Sequence, residues 1–546
     1  MRPNRRLLTY VLALAVPLCT WAQTESEPND NIAQANVITL GTAMTGDAGP
    51  APCTSGPSDD YFMLNLAEDG LLSINTVASH FGANPLTLRV FVYNSAGTQV
   101  DYFDHQAGAG SIPISTTSTF TCANKGTYYF RPYPTNGSVC HNYTLTVTRT
   151  APTYADDLEP NNNTTDAQAN PLLPANTPTE GHVNFSHNNI DNNDFYRIQT
   201  AGDGVLNVTL SAEAQSAGSV RVYAYDGAGT QIDYYDAAVG VGTPASTTQS
   251  FNCFGQGYYY LRVWSLNACG VSYQLSYTLT SPVYANDTEP NDVQAQALPL
   301  AHNTFTEGHV NFYHYPENAD WYAITAPDEG TITVTVIAEN AGASIGAVRT
   351  FLYNGVGSQI DYFDSSVGAL SDDDTTTVSF TCYGQGNYFI KIQSISGCGI
   401  SYKLKYSMAG AVYANDLEPN NTWAEAAANP LLAHNTFTEG HINFNHYGDN
   451  DDRYYIQTPG NGTLRLTTIA ERVPGTDGAL RVFVHNDVGT QITYYDPIAG
   501  GGSDDDTTAI DLPCFGQGNY YLRVTSISGC GISYKLKYSV AGAVYA

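Results

Sequence analysis

The chain has 546 residues, a formal net charge of −30 and only 13% charged residues. Without a basic footprint to neutralise phosphates, nucleic-acid binding is excluded and anionic membrane surfaces are disfavoured. The 42% hydrophobic content is enough for ordinary cores, and 49 Gly and 40 Tyr against 4 Met point to turns and strands in roughly three to five domains.

Arg2, Arg5 and Arg6 give a basic start, Leu7 to Cys19 is largely apolar, and Thr20-Trp21-Ala22 places small residues before a cut. Residues 1–22 read as a signal peptide for export, to a secreted or cell-surface location. The apolar run is shorter than the roughly 20 residues of a bilayer span. A lipidated Cys19 is the rival, but Leu18 stands where a small residue belongs. No second run of spanning length follows.

Self-comparison then organises the chain. Glu-Pro-Asn opens at Glu27, Glu159, Glu289 and Glu418, at intervals of 129 to 132 residues. Each is followed by an Asp before aromatics, alternating strands, and a Cys-x-x-x-Gly with Tyr or Phe. Repeats 3 and 4 share SISGCGISYKLKYS, from Ser394 and Ser526. A period this long is a whole domain, so we expect repeats at 23–150, 151–281, 282–410 and 411–546. AVYA at the end also precedes NDLEPN at Ala411, so either a protein of four repeats or the front of a longer one is expected.

Within each repeat the period is two. Leu206, Val208 and Leu210, and Ile332, Val334 and Val336, alternate with polar residues, as half-buried strands do. Leu480, Val482 and Val484 form another strand. Asp226-Gly227 and Asn354-Gly355 are hairpin signals. One helical turn is expected after Glu-Pro-Asn, as at Trp423 to Ala428. The fold class is all-β: four tandem jelly-roll-like β-sandwich domains after a signal peptide.

Cysteines come as Cys122/Cys140, Cys253/Cys269, Cys382/Cys398 and Cys514/Cys530, which read as one disulfide inside each repeat, closing its last hairpin. Short zinc-type spacing is absent. Cys53 is left over, for an intermolecular bond or a buried thiol.

The opening EPND or EPNN, the Asp-aromatic pairs Asp194-Phe195 and Asp320-Trp321, the segment LRVFVYNSAGTQ from Leu88 and GQGNYYLRV from Gly516 together resemble the bacterial pre-peptidase C-terminal domain. The resemblance implies a jelly-roll sandwich, an accessory or binding module appended to exported enzymes, and kinship with collagen-binding domains of clostridial collagenases. It also implies calcium, held by acids around EPND and a later D-x-x-D pair.

The residues themselves agree. Asp287, Glu289 and Asn291, at i, i+2 and i+4, share one face of an extended segment. With Asp292, Glu317 and Asp320 they offer the oxygens that a hard cation such as Ca2+ takes. Repeat 2 offers Asp157, Glu159, Asn161, Asp191 and Asp194. Repeat 4 offers Asp416, Glu418, Asn420, Asp449 and Asp452. Repeat 1 keeps Glu25, Glu27, Asn29, Asp30 and Asp60, with Pro57 in place of an acid. The bland alternative is solvated turn residues.

The five-residue steps His182/His187, His309/His314 and His441/His446 suggest packing positions rather than zinc. Ser344 in a GxSxG match lacks the strand-to-helix setting of a nucleophile. Asp372 to Asp374 and Asp504 to Asp506 read as loop charges. No catalytic residue is expected. The expected function is a non-catalytic binding or spacer protein, stabilised by calcium, for an extracellular protein or polysaccharide polymer. The alternative is the accessory part of a longer exported hydrolase.

Overall fold

The computed structural model describes Ala22–Gly542, apart from 51–52, 54–58, 137–138, 189–190, 313–318, 342–344, 370–373, 445–449, 473–477 and 502–505. The signal-peptide reading, Pro57, His314, His446, Ser344, Glu317, Asp449, Asp372, Asp373, Asp504 and Asp505 lie outside the described residues. The chain forms two compact units. One holds Met1–Ala201, Asn207–Phe251 and Gly257–Leu279, the other Gly202–Leu206, Asn252–Gln256 and Thr280–Ala546. No helix among the described residues is long and apolar enough to cross a membrane.

The architecture is all-β, a jelly-roll-like sandwich in each repeat. In repeat 3, Thr306–Val310, Ile400–Gly410, Gly330–Asn340 and Asp374–Tyr383 make one sheet. Leu298–Pro299, Ala319–Ala326, Gly386–Ser396, Gly346–Asn354 and Gln359–Ala369 make the other. The last strand crosses over, its end pairing in parallel with Glu339 and Asn340. The period-two pattern decides the inner faces: Ile332, Val334 and Val336 from one sheet meet Tyr388, Ile390 and Ile392 from the other, all fully buried. Each such side chain contributes about 1.5–3 kcal/mol by leaving water. The core of repeat 4 runs from Leu432 to Tyr538 and that of repeat 1 from Ile38 to Val147, each built from its own strands.

The expected turn after Glu-Pro-Asn is present as helices Thr164–Ala169 and Trp423–Ala428 and as 3-10 turns Ile32–Gln34 and Gln294–Gln296. The hairpin turns differ from expectation in one respect. Positive φ falls on Gly97, Gly229, Gly357 and Gly489, three residues after the Asn or Asp, not on the glycine beside it. The Asp226 carboxylate accepts from the amides of Ala228 and Thr230, which fixes a longer turn.

The disulfides correct the intradomain pairing. Cys53 bonds Cys140, Cys122 bonds Cys269, Cys253 bonds Cys398 and Cys382 bonds Cys530, while Cys514 is a free, exposed thiol. The reason is strand length. Gly126–Pro134 lies between Cys122 and Cys140, and Gly257–Ser265 between Cys253 and Cys269. Gly386–Ser396 and Gly518–Ser528 do the same for Cys382/Cys398 and Cys514/Cys530. A nine-residue strand spans about 30 Å, whereas a disulfide needs Cα atoms within about 7 Å. One cysteine of each expected pair therefore sits at the tip of its sandwich and the other at the base. Tip cysteines bond the base of the following repeat, and Cys53 closes the base of the first.

Candidate cation corners and an aromatic–arginine face

The Glu-Pro-Asn segment is clamped in the same way in all four repeats. In repeat 2 the Asn161 amide donates to Glu159 Oε2 at 3.0 Å, its side-chain Nδ2 donates to Asp157, and its carbonyl accepts from Phe195 N at 2.7 Å. Asn29, Asn291 and Asn420 repeat the backbone bonds to Glu27, Glu289 and Glu418 and to the residues that follow Asp60, Asp320 and Asp452. Each glutamate–proline bond is cis. The clamp delivers the acids read from the sequence to one corner. One oxygen each from Asp157, Glu159 and Asp194 lie within 4.8 Å of one another, as do those of Asp287, Glu289 and Asp320 and of Glu25, Glu27 and Asp60.

Two tyrosines, not foreseen, brace the corner. Tyr196 OH donates to Asp157, Tyr273 OH donates to Asp194, and the two hydroxyl oxygens lie 2.6 Å apart. Tyr322 and Tyr402, and Tyr454 and Tyr534, do the same in repeats 3 and 4. Repeat 1 departs in a compensated way. Phe62 replaces the first tyrosine, and Glu25, one methylene longer than the aspartates elsewhere, takes a bond from Tyr143 directly.

Buried oxygens at these corners still lack donors: Glu159 Oε1, Asn161 Oδ1, Asp191 Oδ1 and Asp194 Oδ1 in repeat 2, and Asp287 Oδ1, Asn291 Oδ1, Asp416 Oδ1 and Asn420 Oδ1 in repeats 3 and 4. Burial, then the charges of Asp157 and Asp191, holds Asp194 well above the carboxylate range. Asp191 is pushed up to about 8 by burial and by Glu159. Glu25 and Glu418 rise to about 7, mainly by burial. An all-oxygen set with surplus negative charge fits a hard cation. Asp30 and Asp292 are exposed and stand outside these groups; Asp30 instead accepts from Asp59 N at 3.3 Å.

The histidines are tied into junctions instead. His182 Nδ1 lies 3.0 Å from Asp69, His309 Nδ1 2.8 Å from Asp203 and His441 Nδ1 2.8 Å from Glu329. Their Nε2 atoms face the carbonyls of Tyr154, Tyr284 and Tyr413. His187 stacks on Phe120 at 4.5 Å.

A second recurrent surface lies on the outer face of one sheet. Phe91 stands opposite Tyr102 and Arg131, and Arg89 opposite Asp104 and Tyr133. Tyr223, Tyr234, Arg262, Arg221, Asp236 and Trp264 hold the same stations in repeat 2. The guanidiniums of Arg89, Arg221, Arg349 and Arg481 lie 4.0 to 4.3 Å from the ring centres of Tyr102, Tyr234, Tyr362 and Tyr494. Each is pinned by two bonds to Asp104, Asp236, Asp364 or Asp496. Those bonds hold the aspartates below the usual range. The four tyrosines are 46 to 49% exposed, so flat rings stand fixed yet open to solvent.

No family model matches the chain, and no curated protein matches it. Solved structures similar to it include the tandem CBM22 domains of Xyn10C from Paenibacillus barcinonensis, at 10% identity and a TM-score of 0.17, covering 48% of this chain and 100% of that one. A triple jelly-roll turret protein of an archaeal virus has 11% identity and a TM-score of 0.14, covering 64% and 83%. The PBSX exported protein XepA has 16% identity and a TM-score of 0.14, covering 43% and 88%.

Proposed function

We propose that this protein is an exported, non-catalytic binding array that holds a polysaccharide on the aromatic–arginine face of each repeat, with calcium at each Glu-Pro-Asn corner. The observation that carries the reading is the fourfold recurrence of a half-exposed tyrosine stacked on a guanidinium that an aspartate pins in place. A sugar ring presents C–H groups to such a flat ring and hydroxyls to the flanking carboxylate and arginine. Four faces that share one tyrosine–arginine–aspartate trio on one chain suit a ligand that is itself periodic, since linked weak sites gain avidity. Four disulfides fit an oxidising, extracytoplasmic compartment. The acid corners support calcium as a structural ion, and the resemblance to pre-peptidase C-terminal domains supports a module at each of 23–150, 151–281, 282–410 and 411–546.

The test is retention of the full chain on insoluble cellulose, xylan and chitin, with collagen fibrils as the protein polymer. Retention on a polysaccharide should fall at least tenfold when Tyr102, Tyr234, Tyr362 and Tyr494 are all changed to Ala, with the circular dichroism unchanged. Retention on none of the glycans, or no loss in the fourfold variant, overturns the reading. In the same preparations calcium at a hundredfold above Kd should add about 2.7 kcal/mol to a repeat. Melting unchanged by chelator would remove calcium from the account.

A further inference from the structure

Each aromatic–arginine face carries a row of four rings. In repeat 1 the row runs from Tyr102 to Phe91, Tyr93 and Tyr61, in steps of 6.2, 6.3 and 5.9 Å between ring centres. Repeats 2 and 3 keep the row and end it on Phe195 and Trp321. In repeat 4 the strand position that supplies this last ring elsewhere is Arg453. Trp423, from the helix Trp423–Ala428, fills the place instead, 4.7 Å from His485 and under the Arg453 guanidinium at 4.3 Å. The ring is retained where its usual position has changed.

A second cation stands within each row, and its pairing differs between repeats. Arg131 lies 5.6 Å from the Tyr61 ring and 5.7 Å from the Phe91 ring, with Asp59 at 2.7 Å. Arg262 lies 5.4 Å from Phe195 and 5.1 Å from Tyr223, but Asn193 stands in the place of Asp59, and its amide oxygen accepts from Arg262 Nε at 2.8 Å. Lys391 lies 5.7 Å from Trp321 and 5.2 Å from Phe351; Ala319 stands in that place, and the ammonium donates to the Gln393 amide oxygen at 2.8 Å. Burial lowers the Lys391 pKa, with no carboxylate to raise it. Among the described residues neither Arg262 nor Lys391 pairs with an acid. In repeat 4, Arg523 and Arg453 share the single carboxylate of Asp451, and Arg453 Nε has no acceptor among the described residues. The other arginine of each face has its own aspartate. Counting these pairs, face 1 is balanced, whereas faces 2, 3 and 4 each hold one cation more than acids, in a chain of 51 acidic and 21 basic residues.

Building on the polysaccharide reading, we propose that the faces of repeats 2, 3 and 4 select an acidic polysaccharide, whose sugar rings lie on the aromatic row and whose acidic substituents meet Arg262, Lys391 and the Arg453–Arg523 pair. An anionic oxygen on the sugar supplies the charge that Asp59 supplies inside repeat 1, and a guanidinium takes a carboxylate or a sulfate by the same forked bonds. The strongly negative chain repels a polyanion elsewhere, so attraction is confined to these faces and general charge adhesion is removed. Repeat 1, already paired, is left to the neutral stretches of the same polymer.

The test is retention of the full chain on beads of cellulose, xylan and chitin, each in native, carboxymethylated and sulfated form. For at least one polymer a charged form should retain at least tenfold more than the native form at low salt, and the excess should shrink at high salt. Whether the carboxylate or the sulfate form holds more tightly identifies the acid. In a variant carrying Asn193→Asp, Gln393→Glu and Arg453→Gln, which balances all three faces, the ratio of charged to native retention should fall close to one. As a measurement that needs no variant, bound parent chain should be displaced by soluble polygalacturonate or dextran sulfate at least tenfold more readily than by polyglutamate, which has the charge without the sugar ring. Equal retention on native and charged forms, an unchanged ratio in a folded variant, or equal displacement by polyglutamate overturns the proposal and leaves the polysaccharide reading standing. Retention on no form of any of the three polymers overturns both.

Discussion

His441 lies between the Glu329 carboxylate at Nδ1 and the Tyr413 carbonyl at Nε2, two acceptors that an imidazolium satisfies by donating from both ring nitrogens. Burial alone would lower its pKa, but Glu329, the Tyr413 carbonyl and the charge of Asp328 outweigh it, and the pKa is raised. Asp416 also faces this ring electrostatically. A raised histidine pKa gives stability that is complete below about 6.5 and is lost as pH rises through the folded value. The raised carboxylates of the neighbouring corner act in the same direction, so the informative measure is a difference. Thermal stability should fall between pH 6 and 9, and fall less in His441→Gln, which should itself cost about 1.5–3 kcal/mol at pH 6. An equal slope in the variant would remove the imidazolium from the junction. Asp157, Glu159 and Asn161, like Asp287, Glu289 and Asn291, were legible as one face because i, i+2 and i+4 spacing survives in any extended segment, whereas Asp194 and Asp320 joined them only through the D-x-x-D pair that the resemblance implied. The histidine pairs were not, because their partners lie 106 to 113 residues away.

At the scale of the strand, one glycine decides how closely the corner is built. Gly308 lies in Thr306–Val310, and a Cβ there would stand 2.9 Å from Tyr322 OH and closer still to Tyr402 OH. Gly181 and Gly440 meet their tyrosines in the same way. Gly308→Ala should therefore part the tyrosines from Asp287 and Asp320 and destabilise repeat 3 by about 1–3 kcal/mol, read from denaturant midpoints. Gly410, with no atom nearer than 3.7 Å, is the control expected to change little. The strands themselves were plain from alternation, since Ile332, Val334 and Val336 point inward as read. Their register was not, because period two says which face a residue takes but not which residue on another strand it meets. That is why the tyrosine brace and the aromatic–arginine face escaped the sequence reading.

Across the molecule, the cysteine pattern shows how local spacing misleads. Cys253 and Cys269 are close in sequence, yet the strand between them carries them to opposite ends of a sandwich. The bonds formed instead close separations of 145 to 148 residues. In the chain-entropy model, loops of this length are worth about 5 kcal/mol. Changing both Cys382 and Cys530 to Ser should leave each sandwich intact, because their cores are separate. The two should then unfold in distinct calorimetric transitions, the less stable at a lower temperature than in the parent. A single unshifted transition would show that the staple adds nothing.

The tip-to-base pairing also sets a problem of timing. In a chain that enters an oxidising compartment N-terminus first, Cys122 arrives together with Cys140, but its partner Cys269 follows a whole repeat later. Joining cysteines in order of arrival would link Cys53 to Cys122 and strand Cys140, giving a wrong set from the outset. Cys53 must therefore pass over Cys122 to reach Cys140, and each tip thiol must stay reduced, or be exchanged, until the next sandwich has closed. If the chain is exported as proposed, its folding depends on disulfide reshuffling that keeps pace with translocation, and its yield should follow the host's isomerase capacity more closely than its oxidase capacity.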